Sequence, residues 1–204
     1  MKKKLKYYFT TVIVLITSFL SFGFGDLENQ SFEFNFKLLN VDGKTVSLTD
    51  YPDAKGFMII FTCNHCPFAK LYPERMNALH EKYKSLGIPL IAISSTDTIM
   101  YEDDGYTEMV NKSIKGKFNF PYLYDSSQIV AKNYHAQKTP HAYVIWKVSG
   151  KWEIKYNGAI DDNGAEPEKV QTSYVADAVN QLLKGEDVKI KETKSIGCQI
   201  HFRK

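Results

Sequence analysis

The chain of 204 residues predicts an α/β fold, a central mixed β-sheet flanked by helices, with an N-terminal hairpin and a C-terminal tail. Three observations predict it. "GFMIIF" and "IPLIAIS" are uninterrupted apolar runs, the pattern of strands buried on both faces. Segments with apolar residues at spacings of three and four alternate with them, the period of an amphipathic helix. "HAYVIWKVSGKWEIKYNG" reads as a hairpin about Ser149-Gly150, and its antiparallel pair makes the sheet mixed.

Taken in order, "MKKKLKYYF" carries Lys2, Lys3, Lys4 and Lys6, and an uncharged apolar stretch runs from there to Gly25. This is the layout of a cleaved secretory signal over residues 1–25, which leaves 26–204 as one domain without internal repeat or linker. The run from Thr10 to Gly25 is shorter than the ~20 residues a spanning helix needs, so membrane contact is expected only if the segment is retained. The product is expected to be exported, periplasmic or secreted. Cleavage removes four lysines and no acid, leaving 22 basic against 23 acidic residues, a net charge of −1. That balance, with no basic cluster interleaved with aromatics, excludes a nucleic-acid partner.

"FEFNFKLLNVDGKTVSL" alternates about Asp42-Gly43 and predicts the first hairpin. After "GFMIIF", Phe68, Tyr72, Met76, Leu79, Tyr83 and Leu86 share one helical face, with Gly87 and Pro89 as the stop. The acidic stretch "STDTIMYEDDGYTEMVNKSIKGK" predicts a helix in its second half, and "DTIMYEDDGY" reads as surface, since it lacks the ligand spacing of a calcium loop. "FPYLYD" is extended. "SSQIVAKNYH" is a short helix with a Ser cap. "EPEKVQTSYVADAVNQLLKG" predicts a helix opening at Pro167 and closing at Gly185, with Val170, Tyr174, Ala178 and Leu182 inward.

Of three cysteines, Cys63 and Cys66 form a CxxC between a buried strand and that first helix. The position places Cys63 at the helix N-terminus, where unpaired N–H groups and the dipole stabilise a thiolate, and Cys66 one turn on. Pro67 fits a first turn because no N–H is needed there. Asn64 and His65 lie between the sulfurs and tune the couple, a His near a thiolate favouring the reduced form. Zinc is the competing use, but its ligands would have to come from Cys198, His80, His135, His141 and His201, none at ligand spacing, so no metal is expected. An inert staple is the other, and so small a loop gains little. Thr139-Pro140 before a strand is either an ordinary strand-start proline or a cis proline against the CxxC, exposing a backbone edge on which a substrate segment could add. Asp161-Asp162 reads as a solvated turn in preference to an acidic pair at the site. Cys198 reads as a buried inert thiol in preference to a third redox thiol, because the pair can complete its cycle alone.

"FTCNHCPFAKLY", "PYLYDSSQIVAKNY", "KTPHAYVI", "YNGAIDDN" and "SIGCQIHFRK", in this order over residues 32–204, resemble the thioredoxin-like superfamily, and within it the peroxiredoxin-like branch of the alkyl hydroperoxide reductase / thiol-specific antioxidant (redoxin) family. The resemblance implies a thioredoxin-like fold, a nucleophilic Cys63, a resolving Cys66, a cis Pro140, and an inserted strand and helix between Ser95 and Tyr134. Two positions depart from the pattern. Peroxiredoxins carry Pro seven and Thr three residues before the peroxidatic cysteine. Here those places hold Gly56 and Ile60 relative to Cys63, and Ile59 and Cys63 relative to Cys66. Thioredoxins carry Trp before the first cysteine, and here it is Thr62.

The resulting expectation is an exported thiol–disulfide oxidoreductase without a cofactor. It would act on protein or small-molecule thiols and disulfides and exchange electrons with a redox protein as donor or acceptor. The alternatives are a thiol peroxidase and a redox-inert thioredoxin-fold binding module.

Overall fold

The computed structural model describes residues 34–203, so the expected signal at 1–25 lies outside the described residues. The chain opens with the antiparallel hairpin β1 (Lys37–Asn40) and β2 (Thr45–Ser47). Its turn closes through Asn40 N–H to the Lys44 carbonyl at 2.7 Å, with Gly43 at φ +83°, where a side chain would be strained. Then follow β3 (Gly56–Phe61), α1 (Pro73–Tyr83), β4 (Leu90–Ser94), α2 (Tyr106–Lys115), β5 (Tyr122–Tyr124) and α3 (Ile129–Asn133). The two-residue β6 (Lys138–Thr139) leads into the hairpin β7 (His141–Val148) and β8 (Lys151–Gly158). The chain ends with α4 (Tyr174–Leu183) and β9 (Cys198–Gln199).

Seven strands form one sheet in the order β2-β1-β5-β4-β3-β7-β8. β3, β4 and β5 are parallel, and β7, β8, β1 and β2 run antiparallel to their neighbours. Side chains alternate across a strand, so β3 feeds two cores. Met58 and Ile60 join Leu90, Ala92, Met76, Tyr83, Val175 and Val179 under α1 and α4. Phe57, Ile59 and Phe61 join Ile91, Ile93, Leu123 and, from α3, Val130 and Ala131 on the other face. Burial of every β3 residue explains the uninterrupted apolar run.

Three helix ends differ from the sequence expectation. Helix α1 begins at Pro73, ten residues after Cys63, and a short 3-10 turn over Ala69–Leu71 precedes it. The segment from Pro167 makes only a 3-10 turn, and α4 begins at Tyr174 with Val175, Ala178 and Val179 inward. The cause is Asp162, whose carboxylate accepts the N–H groups of Gln171 and Thr172 and withdraws them from a helical ladder. Helix α3 is not capped by a serine in the expected way: its N-cap is Gln128, and Asp125 accepts the Ala131 N–H at 3.0 Å.

The second, two-stranded sheet joins β6 to β9 antiparallel, with Thr139 opposite Cys198. It brings the C-terminal tail to the end of β3.

Gly56 sits opposite Trp146, and a Cβ there would lie 2.5 Å from the indole and 2.6 Å from the Ile145 carbonyl. Gly56→Ala is expected to cost about 1–3 kcal/mol of stability through overpacking, read by urea unfolding. An unchanged midpoint would show that the sheet accommodates the methyl.

Candidate active site

Strand β3 delivers the CxxC to the mouth of the sheet. The Thr62 N–H donates to the Ile93 carbonyl at 2.9 Å, which extends the parallel pairing one residue past Phe61 and buries Thr62. The chain then turns away. The first helical bond of the following segment runs from Lys70 N–H to the Cys66 carbonyl at 3.1 Å, so the helical turn starts at Cys66 and not at Cys63. The expected dipole argument therefore transfers from the first cysteine to the second.

All three cysteines are thiols, and they meet at Thr139. The Thr139 Oγ1 lies 3.1 Å from the Cys63 sulfur, and the Thr139 carbonyl accepts the Cys66 S–H at 3.2 Å. The Cys198 N–H donates to the Cys66 sulfur at 3.3 Å. Cys198 is half-buried against Cys63, Cys66 and Ala69. The Thr139–Pro140 bond is cis. Thr139 is itself buried, and its backbone edge is paired with Cys198. The edge expected to be open to a substrate is thus covered by the chain's own tail, and Cys198 lies beside the pair.

When the pair loses one proton, the Cys63 S–H donates to Cys66. That bond, joined by Cys198 and the Ala69 N–H, pulls the Cys66 thiol down to about 4. The same bond, with burial and the nearby Asp104 carboxylate, pushes Cys63 up. The bond from Cys63 thus favours charge on Cys66, whereas the sequence expectation places the stabilised thiolate at Cys63.

Asp104 comes from the acidic stretch read as surface, yet it is fully buried beneath the motif. Its Oδ1 accepts the Asn64 N–H at 2.5 Å and the His65 N–H at 3.2 Å, and its Oδ2 bonds His65 Nδ1 at 2.5 Å. Asn64 completes the clamp by donating to the Asp103 carbonyl at 2.8 Å and accepting the Tyr122 hydroxyl at 3.0 Å. The His65 ring stacks on Tyr101 at 3.8 Å. Sequence reasoning missed Asp104 and Tyr101. They lie about forty residues from the motif, and only their composition, acids beside an aromatic, was visible.

One potential ligand cluster stands among the described residues: Cys63, His65 and Asp104 place ligand atoms within 4.8 Å of one another. Two ligands on tetrahedral zinc with bonds of ~2.0 Å would be about 3.3 Å apart. The 2.5 Å between His65 and Asp104 is instead that of a hydrogen bond. His80 accepts the Leu90 N–H in the core, and burial lowers its pKa; His141 is buried in β7, and burial brings its pKa down to about 4. Asp161 is also buried, contrary to the solvated-turn reading. It pairs with Arg75 at 2.7 Å and accepts the Tyr72 hydroxyl at 3.1 Å, and so ties the loop after β8 to α1. A cleft of about 220 Å³ lined by Phe68, Tyr72, Asp161 and Ile196 opens against the cis Pro140.

The AhpC/TSA family model matches residues 31–164. A thiol-disulfide oxidoreductase ResA of Bacillus anthracis is 27% identical over 113 residues, 55% of this chain and 61% of the relative, so the chain spans under two thirds of that protein's length. An uncharacterized conserved protein of Geobacillus kaustophilus superposes with a TM-score of 0.75 at 34% identity, over 83% of this chain and 89% of that one. The exposed lipoprotein thioredoxin of Streptococcus pneumoniae superposes with a TM-score of 0.54 at 16% identity, over 74% and 98%. With the central mixed sheet flanked by helices, this likeness identifies the fold as thioredoxin-like.

The thiolate absorption of the reduced protein should appear as pH rises through about 4 and be lost in Cys66→Ser. A low-pH step that survives in Cys66→Ser and vanishes in Cys63→Ser would reverse the assignment. Asp104→Ala strands two buried N–H groups and should lower stability by about 1–3 kcal/mol for each, as read by thermal unfolding.

Proposed function

The chain belongs to the AhpC/TSA family, and on that premise we propose that it is an exported thiol–disulfide oxidoreductase whose Cys63–Cys66 pair cycles between dithiol and disulfide. The observation that carries the reading is the gathering of both sulfurs on Thr139, whose hydroxyl lies 3.1 Å from Cys63 and whose carbonyl accepts the Cys66 S–H, with the Cys198 N–H aimed at Cys66. A CxxC held this way has a nucleophile, a resolver and a stabilised charge in one place.

Cys63 takes the attack on a substrate disulfide. As its sulfur bonds to one substrate sulfur, its proton passes along the hydrogen bond to Cys66 and on to the departing substrate thiolate. Cys66, again a thiolate, then attacks Cys63. The enzyme disulfide forms, the second substrate sulfur leaves with the electron pair of the broken bond, and two electrons have moved to the substrate. Run backwards, the same steps oxidise a dithiol, so the direction follows the partner's potential. Exposed Phe68, Leu71 and Ile196 near the thiols support polypeptide substrates, with a redox protein as electron donor or acceptor. Export rests on the basic and apolar residues 1–25, with 26–204 as the working domain.

Peroxidase activity has less support. Gly56 and Ile60 lie inside β3, where neither supplies a side-chain hydrogen-bond donor to a peroxide. A redox-inert binding role would leave the paired sulfurs without a purpose.

Cys63→Ser should abolish reduction of insulin disulfides by dithiothreitol, and Cys66→Ser should accumulate a mixed disulfide visible by intact mass. Wild-type turnover in Cys63→Ser would refute the mechanism. Hydrogen peroxide should oxidise the reduced protein no faster than it oxidises free cysteine thiolate. A rate orders of magnitude higher would favour the peroxidase.

A further inference from the structure

The edge of Thr139 is where an extended partner segment would add as a strand, and here residues of the same chain occupy it. Gly197 presses so closely that a Cβ on it would lie 2.0 Å from the Thr139 carbonyl oxygen. The next residue is Cys198, opposite Thr139, with its N–H on the Cys66 sulfur and its thiol facing the same atom. A substrate cysteine docked on this edge would stand where Cys198 stands.

The segment is also fastened at both ends. Upstream, Thr193 Oγ1 accepts the Ala159 N–H at 2.9 Å, and the Thr193 N–H donates to the Asn157 carbonyl at 3.0 Å. Downstream, the Ile200 N–H donates to the Gln137 carbonyl at 2.8 Å with its side chain buried, and Gln128 bonds the backbones of His201 and Arg203. Between the anchors the segment is held by the two-residue ladder of β6 and β9, by Lys138 Nζ on the Gly197 carbonyl and by the Cys198 N–H on the Cys66 sulfur, few enough contacts that the part bearing Cys198 can lift without loss of the anchors.

We propose that the C-terminal segment is a built-in substrate and Cys198 the third thiol of a relay, through which the disulfide passes from the buried pair to the surface. The proposal rests on the oxidoreductase reading above. In the oxidised enzyme the deprotonated Cys198 sulfur attacks Cys66. The Cys66–Cys198 bond forms, the Cys63–Cys66 bond breaks, its electron pair leaves on Cys63, and the proton given up by Cys198 ends on Cys63. No net electrons are exchanged, so no further oxidant is needed. An outside thiol then meets a disulfide on the half-exposed Cys198 instead of the fully buried Cys66. Attack at Cys198 expels Cys66 as the thiolate that its N–H partners stabilise.

The test is disulfide mapping of the full chain equilibrated in glutathione buffers of graded potential, quenched in acid, alkylated and digested. The expected result is a Cys66–Cys198 peptide alongside Cys63–Cys66, with Cys63 alkylated in the former. Gly197→Ala should sharply reduce the Cys66–Cys198 species while Cys63–Cys66 still forms. Cys198→Ser and Cys198→Ala should each slow dithiothreitol-driven insulin reduction tenfold or more. If only Cys63–Cys66 appears at every potential and both Cys198 variants turn over at the wild-type rate, the relay is overturned and the oxidoreductase reading stands. Faster turnover in those variants would also overturn it, making the tail a plug. If no disulfide forms in any pair and insulin is not reduced, the oxidoreductase reading itself fails.

Discussion

Thr139 meets all three thiols with different parts of one residue. Its hydroxyl is against Cys63, its carbonyl receives Cys66, and its backbone is the ladder partner of Cys198. A side-chain and a main-chain group on one buried residue fix these positions more tightly than separate loops could, because a single backbone placement orients every contact. That placement comes from β7, which starts two residues later and pairs with β3 along its whole length. The strand that carries the cysteines and the strand that follows Thr139 are hydrogen-bonded neighbours in the sheet.

Charge is distributed unevenly over the site, and the geometry accounts for it. The bond between the two sulfurs, burial and the Asp104 carboxylate raise Cys63, while that same bond, joined by Cys198 and the Ala69 N–H, favours charge on the second sulfur. His65 is bound to Asp104 and stacked on Tyr101, so its ring is fixed in orientation. Its direct partner is the carboxylate rather than a sulfur. The insertion between β4 and α3 therefore contributes more than bulk. It carries the acid that clamps the CxxC backbone and the ring that holds the histidine, and Tyr122 of β5 bonds Asn64 from below.

Cys63 and Cys66 are almost completely buried, which shields them from adventitious oxidants. The tail that covers them carries a thiol of its own, half-buried against the pair.

The sequence by itself determined the sheet, the order of its elements and the place of the CxxC just after a buried strand. Uninterrupted apolar runs, helical spacings and turn pairs such as Asp42-Gly43 and Ser149-Gly150 are local patterns, and burial of a strand or the φ of a turn follows from adjacent residues. Helix ends were less legible: α4 starts late because Asp162, twelve residues before it, captures two N–H groups that propensity would have given to the helix. The chemistry within the site was decided only in three dimensions. The surroundings of the sulfurs meet only in space: beside the contact with Cys63, the Cys66 sulfur accepts the N–H of Cys198, a residue 132 positions along the chain. Asp104 looked like a surface acid because its neighbours in sequence are polar, and it is buried because its neighbours in space are the N–H groups of Asn64 and His65. Pairing over such separations leaves no periodicity in the sequence, since a hydrogen bond constrains two residues and says nothing of those between them.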